Sequence, residues 1–205
     1  MKKTAIIDYG MGNLDSVARA IEECRGEAVI TSWGEDLKKA NYIILPGVGA
    51  FGDGMRNIRD LGLDRTIREE VLQNEIPFLG ICLGMQLLAS RGYEGGETTG
   101  LDLIPGEVVR FEPDEPGVKI PHIGWNEVVF EKSHPLFGEI PSGKNFYFVH
   151  SYHFVCENQE DVLSTTPYCG GFVSAVQRRN VMGVQFHPEK SLQVGLKLLS
   201  NFLSL

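Results

Sequence analysis

Several absences narrow what this chain can be. The four cysteines, Cys24, Cys82, Cys156 and Cys169, are scattered without CxxC spacing. They make neither a zinc pattern nor a disulfide framework, which fits a reducing compartment. No run of basic residues is longer than a pair, as in Lys2-Lys3 and Arg178-Arg179, and the net charge is −8. A nucleic-acid partner therefore has little electrostatic footing. No apolar run approaches the roughly 18 residues of a membrane span, and no signal peptide precedes the first strand pattern. A cytoplasmic protein without membrane contact is expected. Repeats, low-complexity tracts and linker-like composition are also missing. With 205 residues, 42% of them hydrophobic, the chain suits one domain over residues 1–205 with a full core.

What is present is a strong alternation of strand and helix patterns in the first ninety residues. Strands are expected at 4–8, 28–31, 42–45 and 77–81, and helices at 14–24, 55–61 and 63–72. That order predicts an α/β fold with a doubly wound, mostly parallel sheet. From residue 108 the texture changes to short alternating segments, at 108–111, 127–130, 146–149, 152–155, 172–177 and 181–185, separated by Gly, Pro and Asn. These read as partly antiparallel strands added to the same sheet. Leu192, Leu196 and Leu199 set the period of a closing helix over 192–203, and two prolines and a glycine in 111–117 mark a surface loop.

The chain is organised around Pro77-Phe78-Leu79-Gly80-Ile81-Cys82-Leu83-Gly84-Met85-Gln86. An apolar run ends in a cysteine held between two glycines, and a helical opening follows. Gly80-x-Cys82-x-Gly84 has the spacing of a nucleophile elbow, a sharp strand-to-helix turn that exposes one side chain. Cys82 would then sit at a helix N-terminus, where dipole and free N–H groups favour a thiolate. A free cysteine is as readily a buried packing residue, and the elbow alone leaves both readings open.

A second stretch adds weight. In Val184-Gln185-Phe186-His187-Pro188-Glu189-Lys190 an apolar strand ends in His-x-Glu, 105 residues after Cys82. A thiolate nucleophile needs a base to move its proton, and the base needs an orienting group. Pro188 stiffens the connection so that Glu189 can reach the imidazole of His187. Cys82, His187 and Glu189 are the expected catalytic set. An oxyanion needs two donors. The N–H of Leu83, next to the nucleophile, supplies one, and Val48 or Gly49 of Pro46-Gly47-Val48-Gly49 is placed for the other, although that sequence by itself reads more readily as a tight turn.

Gly-x-Cys82-x-Gly-x-Gln86 together with the late His187-Pro188-Glu189 resembles the class I (triad) glutamine amidotransferases over essentially the whole chain. Asp8-Tyr-Gly-Met-Gly-Asn13, Pro46-Gly-Val-Gly-Ala-Phe51, Pro121-His-Ile-Gly-Trp-Asn126, Phe148-Val-His-Ser-Tyr152 and His187-Pro-Glu-Lys-Ser191 resemble one branch of that family. Its members are separate glutaminase chains. The resemblance implies L-glutamine as substrate, no metal or cofactor, and a heterodimer with a cyclase subunit, a (β/α)₈ barrel, that uses the ammonia. It implies that Gln86 contacts the substrate, that Ser151 and Tyr152 meet its α-carboxylate, and that Glu94 accepts its α-ammonium. Read alone, Glu94 is equally a solvated surface acid. Asn13, Trp125, Tyr147 and Lys190 match positions near the partner interface, although without the family Trp125 and Tyr147 read as core aromatics. The alternative is a DJ-1/PfpI-like cysteine hydrolase or stress protein, which shares the elbow but is not expected to combine Gln86 with a distant His-Pro-Glu. A silent binding subunit would not need all of Cys82, His187 and Glu189.

Overall fold

A computed structural model describes residues 2–113 and 116–205. The first half alternates as the periodicity predicts. β1 (Lys3–Ile7), α1 (Leu14–Glu23), β2 (Glu27–Thr31), α2 (Gly34–Leu37), β3 (Tyr42–Gly47), α3 (Phe51–Asp60), α4 (Leu63–Leu72), β4 (Phe78–Cys82) and α5 (Leu83–Gln86) follow one another. The second half is mainly strands: β5 (Arg91–Gly92), β6 (Thr98–Thr99), β7 (Gly106–Arg110), β8 (His122–Phe130), β9 (Lys144–His150), β10 (Tyr152–Cys156), β11 (Val162–Thr166), β12 (Phe172–Arg178) and β13 (Val181–Val184), closed by α6 (Leu192–Phe202).

β2, β1, β3, β4 and β13 lie side by side in that order, and all are parallel. From β13 the sheet continues antiparallel through β12, β10 and β7. β11 branches from β12 and leads to β8 and β9. This is the doubly wound core with antiparallel additions expected from the sequence. Successive strand side chains alternate between two faces. Ala5, Ile7, Ile43, Leu45 and Phe78 pack against Met55, Ile58, Ile67 and Val71 of α3 and α4. Ile6, Ile44, Leu79 and Ile81 pack against Val17 and Ile21 of α1 and Leu198, Leu199 and Phe202 of α6.

Two expectations are corrected and one strand is added. α3 begins at Phe51, not Met55, because the Glu94 carboxylate accepts a hydrogen bond from the Phe51 N–H at 2.8 Å, a cap supplied from 43 residues away. β11 gives no apolar alternation because its inward side chains include Ser164 and Thr166, both buried, with Ser164 Oγ 3.0 Å from Ser174 Oγ. Leu192 is 73% exposed, so the buried stripe of α6 is Gly195, Leu198, Leu199 and Phe202. In the expected loop at 111–117, Asp114 and Glu115 lie outside the described residues.

The carboxyl ends of β3, β4 and β13 are brought level by register, with Gly47 opposite Cys82 and Val184 opposite Ile81. Ligand sites of open α/β sheets lie at that end. α5 crosses β3 so closely that a Cβ on Gly84 would stand 1.7 Å from the carbonyl oxygen of Leu45. Backbone cannot retreat there. Gly84→Ala is expected to destabilise the fold by at least the ~1–3 kcal/mol typical of overpacking, read as a fall in the denaturation midpoint. An unchanged midpoint would show that the crossing is looser than the geometry implies.

Candidate active site

Cys82 ends β4 with φ +55° and ψ −111°, a conformation sparsely populated by non-glycine residues. Such strain marks the tight strand-to-helix turn of a nucleophile elbow. The side chain is buried, and its Sγ lies 3.9 Å from the Val149 carbonyl oxygen and 3.7 Å from Gln185 Nε2. Leu83 opens α5, so its N–H has no partner within the helix.

His187 follows β13 and is tied down on several sides. Its backbone N–H donates to the Tyr147 carbonyl at 2.9 Å, and Ser191 Oγ donates to its carbonyl at 2.6 Å. The 3₁₀ turn Pro188–Lys190 folds Glu189 back, placing Glu189 Oε1 2.8 Å from His187 Nδ1 with both side chains almost wholly buried. That bond leaves Nε2 as the working nitrogen, and it is buried without a conventional hydrogen-bond partner among the described residues. Burial by itself lowers the imidazole pKa. The neighbouring Cys82 sulfur and Glu189 carboxylate outweigh burial and raise it to about 10. The arrangement favours the imidazolium form of His187.

Cys82 opens onto a cavity of about 420 Å³ lined by Val48, Gly49, Ala50, Leu83, Gln86, Glu94, Val149, His150, Ser151 and Tyr152. Every residue expected in the oxyanion and substrate sets is therefore on one wall or another. Gly49 has φ +108°, which a side chain would strain, and Val48 is 43% exposed. Gln86 Nε2 is committed to the Tyr152 carbonyl at 2.8 Å and to Gln185 Oε1 at 3.0 Å, so its own Oε1 is what remains for a ligand. Glu94 uses Oε2 to cap α3, leaving its second oxygen for the cavity.

The interface candidates divide. Trp125 is 49% exposed and sits edge-to-face with Tyr147 at 6.1 Å, and Lys190 Nζ stands 5.9 Å over the Tyr147 ring. The reading of the two aromatics as core residues is thus set aside in favour of a surface cluster. Asn13 is exposed at the start of α1 and makes no side-chain cap there. Three buried groups near the site escaped sequence reasoning. Gln185 and His150 are polar residues within apolar strand patterns and give no periodic signal. Tyr9 belongs to a turn that reads only as glycine-rich, yet its hydroxyl is buried without a hydrogen-bond partner among the described residues. Burial and the nearby Cys82 charge push its pKa up.

A cysteine on a strained elbow, a buried His–Glu pair and an amidotransferase-like sheet define a class, and sequence comparison meets the geometry there. The chain belongs to the glutamine amidotransferase class-I family, whose pattern matches residues 5–204. Within that class it stands with the HisH subunits. It is 50% identical over 202 residues to imidazole glycerol phosphate synthase subunit HisH of Moorella thermoacetica, covering 98% of this chain and 94% of that one. It is 47% identical over 201 residues to the HisH subunit of Aquifex aeolicus, covering 98% and 95%. Among solved structures, a chain of PurLQS from Thermotoga maritima shares the fold with a TM-score of 0.77 at 19% identity, covering 100% of this chain and 99% of that one. A crystal structure of a glutamine amidotransferase gives a TM-score of 0.74 at 20% identity, covering 98% and 97%. These findings give no support to the DJ-1/PfpI-like alternative.

Proposed function

We propose that this chain is the glutaminase subunit of imidazole glycerol phosphate synthase, hydrolysing L-glutamine to glutamate and ammonia within one amidotransferase domain spanning residues 1–205. The observation that carries the reading is the strained, buried Cys82 facing both the His187–Glu189 pair and a cavity that fits an amino acid. The Cys82 thiolate attacks the side-chain carboxamide carbon of glutamine. The developing oxyanion is held by the N–H groups of Leu83 and of Val48 or Gly49. His187 gives its Nε2 proton to the departing nitrogen, ammonia leaves, and a γ-glutamyl thioester remains. His187 then takes a proton from water, the resulting hydroxide attacks the thioester, and glutamate is released as the thiolate is restored. The free oxygens of Gln86 and Glu94 suit the α-ammonium, and Ser151 and Tyr152, which line the same cavity, are the proposed contacts of the α-carboxylate.

Ammonia set free in neutral water is mostly protonated and is no longer a nucleophile. A glutaminase that feeds a synthase therefore works beside the site that uses its ammonia, and the relatives of this chain are named as subunits of such a synthase. By similarity the partner is the cyclase subunit, a (β/α)₈ barrel joined in a heterodimer, which adds the nitrogen to PRFAR to give imidazole glycerol phosphate and AICAR in cytoplasmic histidine biosynthesis. The Trp125, Tyr147 and Lys190 cluster with Asn13 is the proposed docking face. Mixing the chain with that subunit, PRFAR and glutamine should give AICAR and glutamate in equal amounts. Glutamate without AICAR, or no turnover, would count against the assignment.

Glu189 orients His187 and does not itself carry the proton. Losing an orienting carboxylate costs a triad enzyme up to about 10⁴-fold, and less is expected here because a thiolate needs less help than a serine hydroxyl. Glu189→Gln should therefore retain more glutaminase turnover than His187→Ala. The reverse ranking in a steady-state ammonia assay would overturn the roles.

A further inference from the structure

Gln185 is fully buried between β13 and His187, and its amide joins Gln86 to the sulfur of Cys82. The contacts fix which way the amide points. A backbone carbonyl can only accept, so the 2.8 Å contact to the Tyr152 oxygen identifies the donor end of Gln86. The second proton on that nitrogen goes to Gln185, 3.0 Å away, which makes the contacted atom Oε1. The other end of Gln185, Nε2, is thereby turned toward Cys82 Sγ.

A further run of hydrogen bonds braces the same carbonyl. His150 Nδ1 donates to the Tyr152 oxygen at 2.8 Å, and His150 Nε2 accepts from His122 Nδ1 at 3.2 Å. His122 Nε2 in turn accepts from Asn126 Nδ2 at 3.2 Å. Every donor meets an acceptor only if both imidazoles are neutral. Burial keeps them so, lowering His122 to about 4, while His150, with burial as the main cause, falls to about 3.

We infer that the Gln185 amide is a catalytic hydrogen-bond donor to the Cys82 sulfur, and that Gln86, the Tyr152 carbonyl and His150 are positioning groups that hold its N–H end there. The inference rests on the reading of Cys82 as the nucleophile. A hydrogen bond to the ionised form of an acid favours ionisation, so the amide stabilises the thiolate in the resting enzyme and again when the thioester breaks. Gln185 does not itself line the substrate cavity, so its direct effect is on the chemistry at sulfur, and any effect on glutamine binding passes through Gln86, which it holds.

The test is the pH dependence of Cys82 alkylation by iodoacetamide in the full chain, followed by mass spectrometry of the Cys82 peptide. Among the described residues the charged or titratable groups around the sulfur are His187 and, behind it, Glu189 after β13, Tyr9 after β1, His150 at the end of β9, and Glu94 and Tyr152 on the walls of the same cavity. All are kept in the variants. Gln185→Met should raise the alkylation midpoint by about one pH unit, roughly tenfold less thiolate below the midpoint. It should lower kcat for ammonia release by a larger factor than it raises KM for glutamine. Gln185→Glu, with a negative charge added, should raise the midpoint further. A Gln185→Met chain with parental melting temperature, midpoint and kcat would overturn the inference. Should these buried substitutions unfold the chain, the parent labelled with ¹⁵N-glutamine decides. The Gln185 side-chain amide signals should move as Cys82 titrates and lose that movement in Cys82→Ala; signals that stay still would overturn it. Glutamine-dependent turnover surviving in Cys82→Ala would instead remove the underlying reading of Cys82.

Discussion

Cys82→Ala should abolish glutamine-dependent synthesis by the complex while leaving synthesis from added ammonia intact. Loss of a triad nucleophile costs on the order of 10⁶-fold in turnover, so the residual rate should fall below detection in an ordinary assay. The partner's reaction should be spared, because the proposed role of Cys82 is confined to liberating ammonia. The elbow itself should also survive, since alanine adds no bulk at φ +55°. Loss of the ammonia-dependent reaction in a correctly assembled variant complex would contradict this division of labour.

The second large effect concerns the partner. The chain alone should be a poor glutaminase, switched on by the cyclase subunit with its ligand bound. Gly47 and Gly49 flank Val48, and Gly49 already adopts φ +108°, so rotation of the intervening peptides meets little steric resistance. If the resting loop does not aim an N–H at the oxyanion, one donor is missing. Losing one such donor costs about 10² to 10³ in rate, roughly 2.7 to 4 kcal/mol. A partner that binds only the competent loop shifts that equilibrium by its differential affinity for the two forms. Ammonia release should therefore rise by up to about that factor from chain alone, to chain with partner, to chain with partner and PRFAR. Equal turnover under all three conditions would leave Pro46–Gly49 as a static turn.

Sequence legibility followed the range of the interactions involved. The strands β1, β3 and β4 were legible because they are buried on both faces and read as continuous apolar runs. The elbow was legible because its glycines answer a local need, the contact between α5 and β3. Gly80 answers a second one, the contact between β4 and α5, since a Cβ there would stand 2.5 Å from the Gly84 carbonyl oxygen. The start of α3 was not legible, because its cap comes from Glu94 in a distant loop. Nor was β11, whose buried hydroxyls imitate a polar loop. At the site, His187 and Glu189 were found through a short stiff motif. Gln185 sits two residues before His187 and carries no signal in the sequence, because only the third dimension brings Gln86 and Cys82 to either end of its amide.

The central claim, that glutamine is cleaved at Cys82 to feed a separate synthase reaction, meets its most direct test in covalent labelling. The complex would be treated with a glutamine analogue that carries an electrophile at the side-chain carbonyl position, with and without excess glutamine. The account predicts one adduct per chain, on Cys82, slowed by glutamine, with glutamine-dependent synthesis lost and ammonia-dependent synthesis retained. An adduct on another residue, or glutamine-dependent synthesis that persists after Cys82 is fully modified, would contradict it.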